Sequence, residues 1–356
     1  MVSPARVTKV NISILVPAFK RYGQLLRLIH FLNKAAQVPR FNYFLENVEV
    51  LIADGSPVDH DLSGQARLKR AISKAKDYLN IAFFSRPGDP MLARQEFLFS
   101  RSSGRYVAFL GDEDLPNLDF FPQATKLLDE RHDIAAVGGR YADIKGFRKN
   151  KLFFCLQEGW LDSLEIAGNN PLLRLSQYCF QYYLGLPSVY YSLMVRDAVS
   201  TYLQIALRGQ GIISLNDCES ILQFSIFISG GSITLPTTCI LRDYTMIGHN
   251  STGLAWRSEE GKQFTKTLLA TYLVKKGFYD DIDQACEYIL SLNVKTYGPC
   301  SPRAQLQEII DDMQLKTHHF LEKEISPDVI SLASDSWRET AESCYSINQL
   351  EVIGLR

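Results

Sequence analysis

The chain has 356 residues, room for one large domain or two modest ones, and its 46% hydrophobic and 22% charged residues are ordinary for a globular protein. Thirty-eight basic residues against thirty-nine acidic ones leave a formal net charge of -1, which excludes a global attraction to nucleic acid or to an anionic membrane surface. The seven cysteines (Cys155, Cys179, Cys218, Cys239, Cys286, Cys300 and Cys344) are odd in number and form no C-x-x-C pair, which argues for free thiols in a reducing compartment rather than a disulfide framework or a zinc site.

No apolar stretch approaches the roughly 20 residues needed to cross a bilayer. The opening, MVSPARVTKVNISILVPAFKR, holds too short an apolar run for a signal peptide and reads as a first core strand. The expectation is a cytoplasmic protein, with peripheral association at the inner face of a membrane left open.

In chain order, NISILVPAF is short and β-branched, a buried strand. YGQLLRLIHFLNKAAQ follows, with Leu25, Leu28, Ile29 and Leu32 at helical spacing. VEVLIADGSP is a second strand ending in a turn signal, and GQARLKRAISKAKDYL a basic amphipathic helix. IAFFSRPGDP is a third strand, MLARQEFLFSRSS a helix, RYVAFLGDED a fourth strand, LDFFPQATKLLDERH a helix and DIAAVGGRYADI a fifth strand. Such alternation implies βαβ units and a mostly parallel sheet with helices on both faces. Ligands bind such sheets beyond the carboxyl ends of the strands. Lys20-Arg21, Asp54-Gly55-Ser56, Arg86 and Asp112–Asp114 all fall there.

Residues 151–250 are less regular. LPSVYYSLMVRDAV reads as a strand running into a helix, LNDCESILQFSIFISGG as a helix capped by glycine, and SITLPTTCILRDY as a strand. The aromatic run QYCFQYYLGLPSVYYS suits an acceptor platform, but strand and core content is the favoured reading. From about residue 256 the pattern turns helical, in SEEGKQFTKTLLATYLVKKG, DIDQACEYILSLNV and PRAQLQEIIDDMQLKTHHFLEKE.

The sharpest feature is the entry of the buried-looking Tyr106–Leu110 run into Gly111-Asp112-Glu113-Asp114. Adjacent like charges repel, and a divalent cation would relieve them. Carboxylates are hard ligands that suit Mg²⁺ or Mn²⁺. In an extended segment Asp112 and Asp114 would share a side and Glu113 would oppose them. A solvated loop with Asn117 capping the next helix is the plainer alternative.

The ordered series ILVPAFKR, VLIADGSP and LARQ…SSGRYVAFLGDED resembles the GT-A fold of inverting glycosyltransferases of family 2, well over residues 11–145 and more weakly to about 250. The resemblance implies a nucleotide-sugar donor, uridine-linked by family habit, and a Mn²⁺ or Mg²⁺ cofactor. It implies a GT-A domain over residues 1–255, with a nucleotide-sugar half (11–145) and an acceptor half (146–255), followed by a helical C-terminal region (256–356). Pro17, Ala18, Phe19 and Arg21 would cradle the nucleotide. Asp54, with Gly55, would meet the base or ribose, Arg94 the base or diphosphate, and Arg86 would line the pocket. Asp112, Glu113 and Asp114 form the metal motif, Asp114 belonging to either register. His249 would complete the metal sphere, and Arg242 would meet the diphosphate.

The inverting reaction also needs a carboxylate base, for which SLNDCESIL offers Asp217 and Glu219. Asn216 and Glu219 have capping-box spacing, which would make Glu219 structural and favours Asp217 as the base. The acceptor implied is a glycan or glycoconjugate hydroxyl, and nucleic acid is not a partner. Gly111 and Gln95 stand where the family carries Asp or Asn, and Asn. These departures keep open a catalytically weak GT-A domain that binds nucleotide or sugar or serves as a scaffold. A sugar nucleotidyltransferase would need more glycine than VPAFKRYG holds.

Overall fold

The computed structural model describes residues 10–148, 151–157, 164–183, 189–243, 259–293 and 325–344. His249 and the segment 302–324, read as a helix, lie outside them.

The first half alternates as its periodicity dictates: β1 (Ile12–Ala18), α1 (Tyr22–Ala35), α2 (Asn42–Asn47), β2 (Val48–Asp54), α3 (Leu62–Ala75), β3 (Asn80–Ser85), α4 (Met91–Arg101) and β4 (Tyr106–Phe109). A two-residue β5 (Leu115–Pro116), α5 (Phe120–Glu130), the long β6 (Ile134–Arg148), β7 (Lys151–Gln157) and β8 (Leu164–Ile166) follow. Then come α6 (Pro171–Tyr183), β9 (Leu193–Val195), α7 (Arg196–Ala206), α8 (Leu215–Ser229) and β10 (Gly231–Asp243). The last described helices are α9 (Glu259–Lys275), α10 (Ile282–Asn293) and α11 (Pro327–Cys344).

The strands form one sheet in the order β3-β2-β1-β4-β9-β6-β10-β5, with β7 on β6 and β8 on β10. β1 to β4 are mutually parallel, and β6 runs parallel to β10. β9 enters antiparallel between β4 and β6, so the second half of the sheet is mixed. The chain moves outward from β1 through β2 to β3, then returns to place β4 on the other side of β1. That reversal is the topological switch point, and a crevice opens beyond the strand ends there. The register aligns those ends: Ala18 lies opposite Asp54, Asp54 opposite Ser85, and Leu15 opposite Phe109.

Strand side chains alternate between two apolar layers, as a sheet covered on both faces requires. Ile12, Ile14, Val16, Val50 and Ile52 pack with α1, α3, α5 and α11. Leu15, Leu51, Val107 and Phe109 pack with α4 and with α6 to α10. The stripe Leu25, Leu28, Ile29 and Leu32 is fully buried, and the basic residues of α3 are exposed, a solvated face. The C-terminal helices enter both layers: Leu273 and Ile289 on one side, Val329 and Trp337 on the other.

Two local readings change. The aromatic run is not a strand: its first part ends α6, and Val189–Tyr191 form a single 3-10 turn leading into β9. Asn117 does not cap α5, whose N-cap residue is Asp119. Asn117 clamps β10 instead, its Nδ2 donating to Thr238 O at 2.6 Å and its N to Cys239 O at 3.0 Å. Among the described residues no helix is long and apolar enough to cross a membrane.

Candidate active site

β4 stays hydrogen-bonded to β1 up to Leu110, whose N donates to Leu15 O at 3.0 Å. The next four residues close a turn, Asp114 N donating to Gly111 O at 3.1 Å. This turn replaces the extended segment expected, and a turn has no two-residue alternation of side chains. Asp112 and Asp114 therefore do not share a side. Asp112 faces the end of β1: Oδ2 accepts from Phe19 N at 2.9 Å and Oδ1 from Arg21 Nη1 at 2.8 Å. The same Arg21 guanidinium pairs with Glu113. Asp114 turns toward the end of β10, where its Oδ1 accepts from Asp243 N at 3.3 Å, and the Tyr191 hydroxyl bonds it as well. A Cβ on Gly111 would stand 2.4 Å from Asp114 Oδ2, so a side chain at 111 would push the Asp114 carboxylate out of this arrangement.

The end of β2 is equally committed. Asp54 accepts from Ser56 N at 3.0 Å and from the Ser56 hydroxyl on one oxygen, and from the Tyr22 hydroxyl at 2.9 Å on the other. Lys20, in the left-handed region at φ 59°, donates its backbone N to Ser56 Oγ at 2.7 Å. Gly55 N donates to Ala18 O at 2.9 Å, locking the two strand ends together. Arg94, 6% exposed on α4, bonds Asp89 O and lies 5.7 Å from the Phe19 ring centroid. Its Nε is buried without a partner among the described residues. The structure thus gathers Ala18, Phe19, Arg21, Asp54, Gly55, Arg94, Asp112 and Glu113 at the mouth of the switch point. Arg86 is turned otherwise: its Nε meets Asp89 Oδ2 at 2.7 Å, and its guanidinium lies 4.5 Å from the Phe97 ring centroid. Arg242 reaches Asp143 Oδ1 at 2.9 Å and lies 4.9 Å from the Tyr141 ring centroid.

The electrostatics are strained in one direction. Burial, then Asp114, pushes the Glu113 carboxyl up to about 8 against the opposing pull of Arg21. Burial raises Asp114 to about 6, with Arg242 and the Tyr191 hydroxyl resisting. Asp112 is also raised by burial, although Arg21 and the Phe19 amide favour its charge. Burial holds Arg94 below its ordinary value while Asp112, Asp54 and Asp89 oppose that shift.

The cap of α8 differs from the one expected, and it engages Asp217. Helix α8 is capped by Ser214, not Asn216: Ser214 N and Oγ donate to Asp217 Oδ2 at 2.9 and 2.7 Å, and Asp217 N donates back to Ser214 Oγ at 3.3 Å. Asp217, 0% exposed, is the structural member of a capping box. Glu219 is half-buried and acts electrostatically on Tyr190, as Asp114 does. Tyr190 is fixed by Gln95 Nε2 at 3.1 Å, and Gln95 Oε1 accepts from Tyr202 OH at 2.7 Å. Gln95 is therefore a fully buried strut between two tyrosines.

Among the described residues no group of three or more His, Cys, Asp or Glu converges on one point. Mg²⁺ and Mn²⁺ are usually held by only one or two carboxylates, with phosphate oxygens and water completing the shell. The turn offers hard carboxylate oxygens, and burial raises Glu113 and Asp114 despite Arg21 and Arg242, a cost that a bound cation would offset. The residues present fit such an ion.

Arg27 and Tyr191 also belong to this site without having been marked as such in the sequence, and Ser56 and Asp243 gain roles there that the sequence did not assign. Ser56 and Asp243 adjoin residues that were singled out, whereas Arg27 is masked by the apolar stripe around it.

Residues 13–183 match the family described as Glycosyl transferase family 2. No curated protein matches the chain significantly. Among solved structures the chain is similar to residues 1–349 of S. aureus TarS in complex with UDP-GlcNAc, at 15% identity and a TM-score of 0.53, covering 94% of this chain and 91% of that one. It is similar to the same TarS fragment with UDP at 14% identity and a TM-score of 0.50, with the same coverage.

Proposed function

Because the chain carries a glycosyl transferase family 2 domain on a GT-A fold, we propose that it is a metal-dependent, inverting glycosyltransferase that moves a sugar from a UDP-linked donor to a glycan or glycoconjugate hydroxyl. The observation that carries this reading is the cluster of Arg94, Asp54 and Asp112 at the switch point, with Arg94 Nε left without a partner among the described residues. The similarly folded TarS fragment with UDP-GlcNAc supports the choice of donor class.

In this reading the nucleotide lies against Pro17–Phe19 and the Asp54–Ser56 corner. Arg94 supplies a donor to its base or diphosphate, and Arg21 holds Asp112 in place. Asp114, with Asp112 or Glu113, would hold a Mn²⁺ or Mg²⁺ ion, which supplies charge neutralisation for the departing diphosphate. Arg242 adds positive charge beside Asp114. The acceptor hydroxyl attacks the anomeric carbon from the face opposite the leaving group, and its proton passes to a carboxylate on α8. Glu219 takes that role, since Asp217 is occupied by the cap.

The test is a panel of nucleotide sugars with Mn²⁺, followed by release of nucleoside diphosphate and by nucleotide binding. Metal-dependent release from one UDP-sugar is the expected result. A chain that neither binds UDP nor turns over any donor contradicts the proposal.

A further inference from the structure

Arg27 is 1% exposed in the middle of α1, although a guanidinium is among the groups least suited to burial. Three other segments meet on it. Its Nη2 donates to Glu113 O at 2.6 Å, within the acidic turn, and to Asp243 Oδ2 at 2.9 Å, at the end of β10. Its guanidinium carbon lies 4.2 Å from the ring centroid of Trp337 on α11. Its own carbonyl accepts from Ser336 Oγ at 2.6 Å, also on α11. Trp337 and Ser336 are both fully buried. Asp243 passes the contact on, since its N donates to Asp114 Oδ1.

A long flexible side chain paired on one side alone would keep alternative rotamers. Here Trp337 covers one face of the guanidinium plane while Glu113 and Asp243 fix its edge, which selects a single rotamer. The outer surface of α11 is fastened to α1 independently, through Lys34 Nζ to Glu339 Oε1 at 2.6 Å and His30 Nδ1 to Glu339 Oε2 at 3.1 Å.

We infer that α11 is a brace for the acidic turn: Trp337 fixes Arg27, and Arg27 acts as a positioning residue that holds the Glu113 backbone and Asp243, and through them Asp114. The inference rests on the transferase reading for its kinetic consequences, but not for the brace itself.

The full-length chain is compared with Trp337→Leu, Trp337→Phe and Ser336→Ala. Trp337→Leu is expected to lower kcat about 10- to 100-fold and to raise the Mn²⁺ concentration for half-maximal activity, the size of effect seen when supporting partners of a metal site are lost. KM for the donor should move little, because α4, which carries Arg94, packs in the apolar layer on the other face of the sheet from α11. Trp337→Phe keeps a ring against Arg27 and should restore most of the loss. Ser336→Ala should shift kcat in the same direction by less, and it serves as the readout if Trp337→Leu does not fold. Hydrogen exchange gives a readout independent of turnover: the peptide covering residues 110–116 should exchange about tenfold faster in Trp337→Leu, while peptides from β1 and β2 keep their protection. If wild type proves inactive with every donor, the functional reading fails and exchange alone decides the brace. Unchanged exchange at residues 110–116, or a folded Trp337→Leu with wild-type kcat and Mn²⁺ requirement, overturns it.

Discussion

The Arg94 guanidinium occupies the space above Gly55: a Cβ on Gly55 would stand 2.1 Å from Arg94 Nη1 and 3.0 Å from Asp89 O. Gly55 thus makes room for the buried cation of the crevice. Gly55→Ala should displace Arg94 and weaken UDP binding about tenfold or more, the scale of one charge-assisted hydrogen bond. Arg94→Lys should weaken it similarly, because an ammonium cannot reproduce the planar fork. Calorimetric titration of UDP checks both.

Asp217 and Glu219 should separate cleanly. Asp217→Ala removes half of the capping box and should cost about 1 kcal/mol of stability, read by thermal denaturation. Glu219→Gln should leave the melting temperature near wild type and lower kcat about 10²- to 10⁴-fold, the usual contribution of a general base. Wild-type turnover in Glu219→Gln would return the role to another carboxylate.

Glu113 makes metal-free stability depend on pH. Its folded-state value is about 8, against an ordinary 4.5. Between those values the native state holds a proton that the unfolded state has released, so this group's contribution falls as pH rises through that window. Denaturant unfolding from pH 5 to 8 should show the decline, and Glu113→Gln should flatten it. In the proposed reading Mn²⁺ binds the ionised carboxylates, so it should stabilise wild type more at pH 8 than at pH 6.

Glu49 provides a control at the opposite end of the same strands. It is buried at the start of β2 and accepts from Ser103 N at 2.6 Å and Gly104 N at 3.3 Å, besides the Ser13 hydroxyl. Glu49→Ala orphans Ser103 N and the Ser13 hydroxyl, while Gly104 N keeps Ser13 Oγ at 2.8 Å, and should cost about 1–3 kcal/mol per unsatisfied group while leaving UDP affinity unchanged. Coupled losses of stability and UDP affinity would mean that the crevice is not locally assembled.

The parallel half of the sheet was legible because its strands are continuous apolar runs closed by polar residues, as in VLIADGS and VAFLGDED. Those closures also marked Asp54 and the acidic turn. The strands β5 and β9 are two and three residues long, too short to carry any period. They exist because β10 and β6 offer edges to pair with. The cap of α8 was legible but misread: Ser214 and Asp217 have capping-box spacing two residues before the pair chosen, Asn216 and Glu219. Arg27 was hidden for a different reason. Its partners Glu113, Asp243 and Trp337 are scattered along the chain, and only the folded arrangement turns a charge on an apolar stripe into a tether.

The most direct measurement is Mn²⁺-dependent release of UDP from a UDP-sugar by wild type and by Asp114→Asn, with UDP affinity measured in parallel. The account predicts turnover in wild type that disappears on chelation and falls by orders of magnitude in Asp114→Asn, in protein that still folds. Equal turnover in the two, or turnover indifferent to the metal, would contradict it.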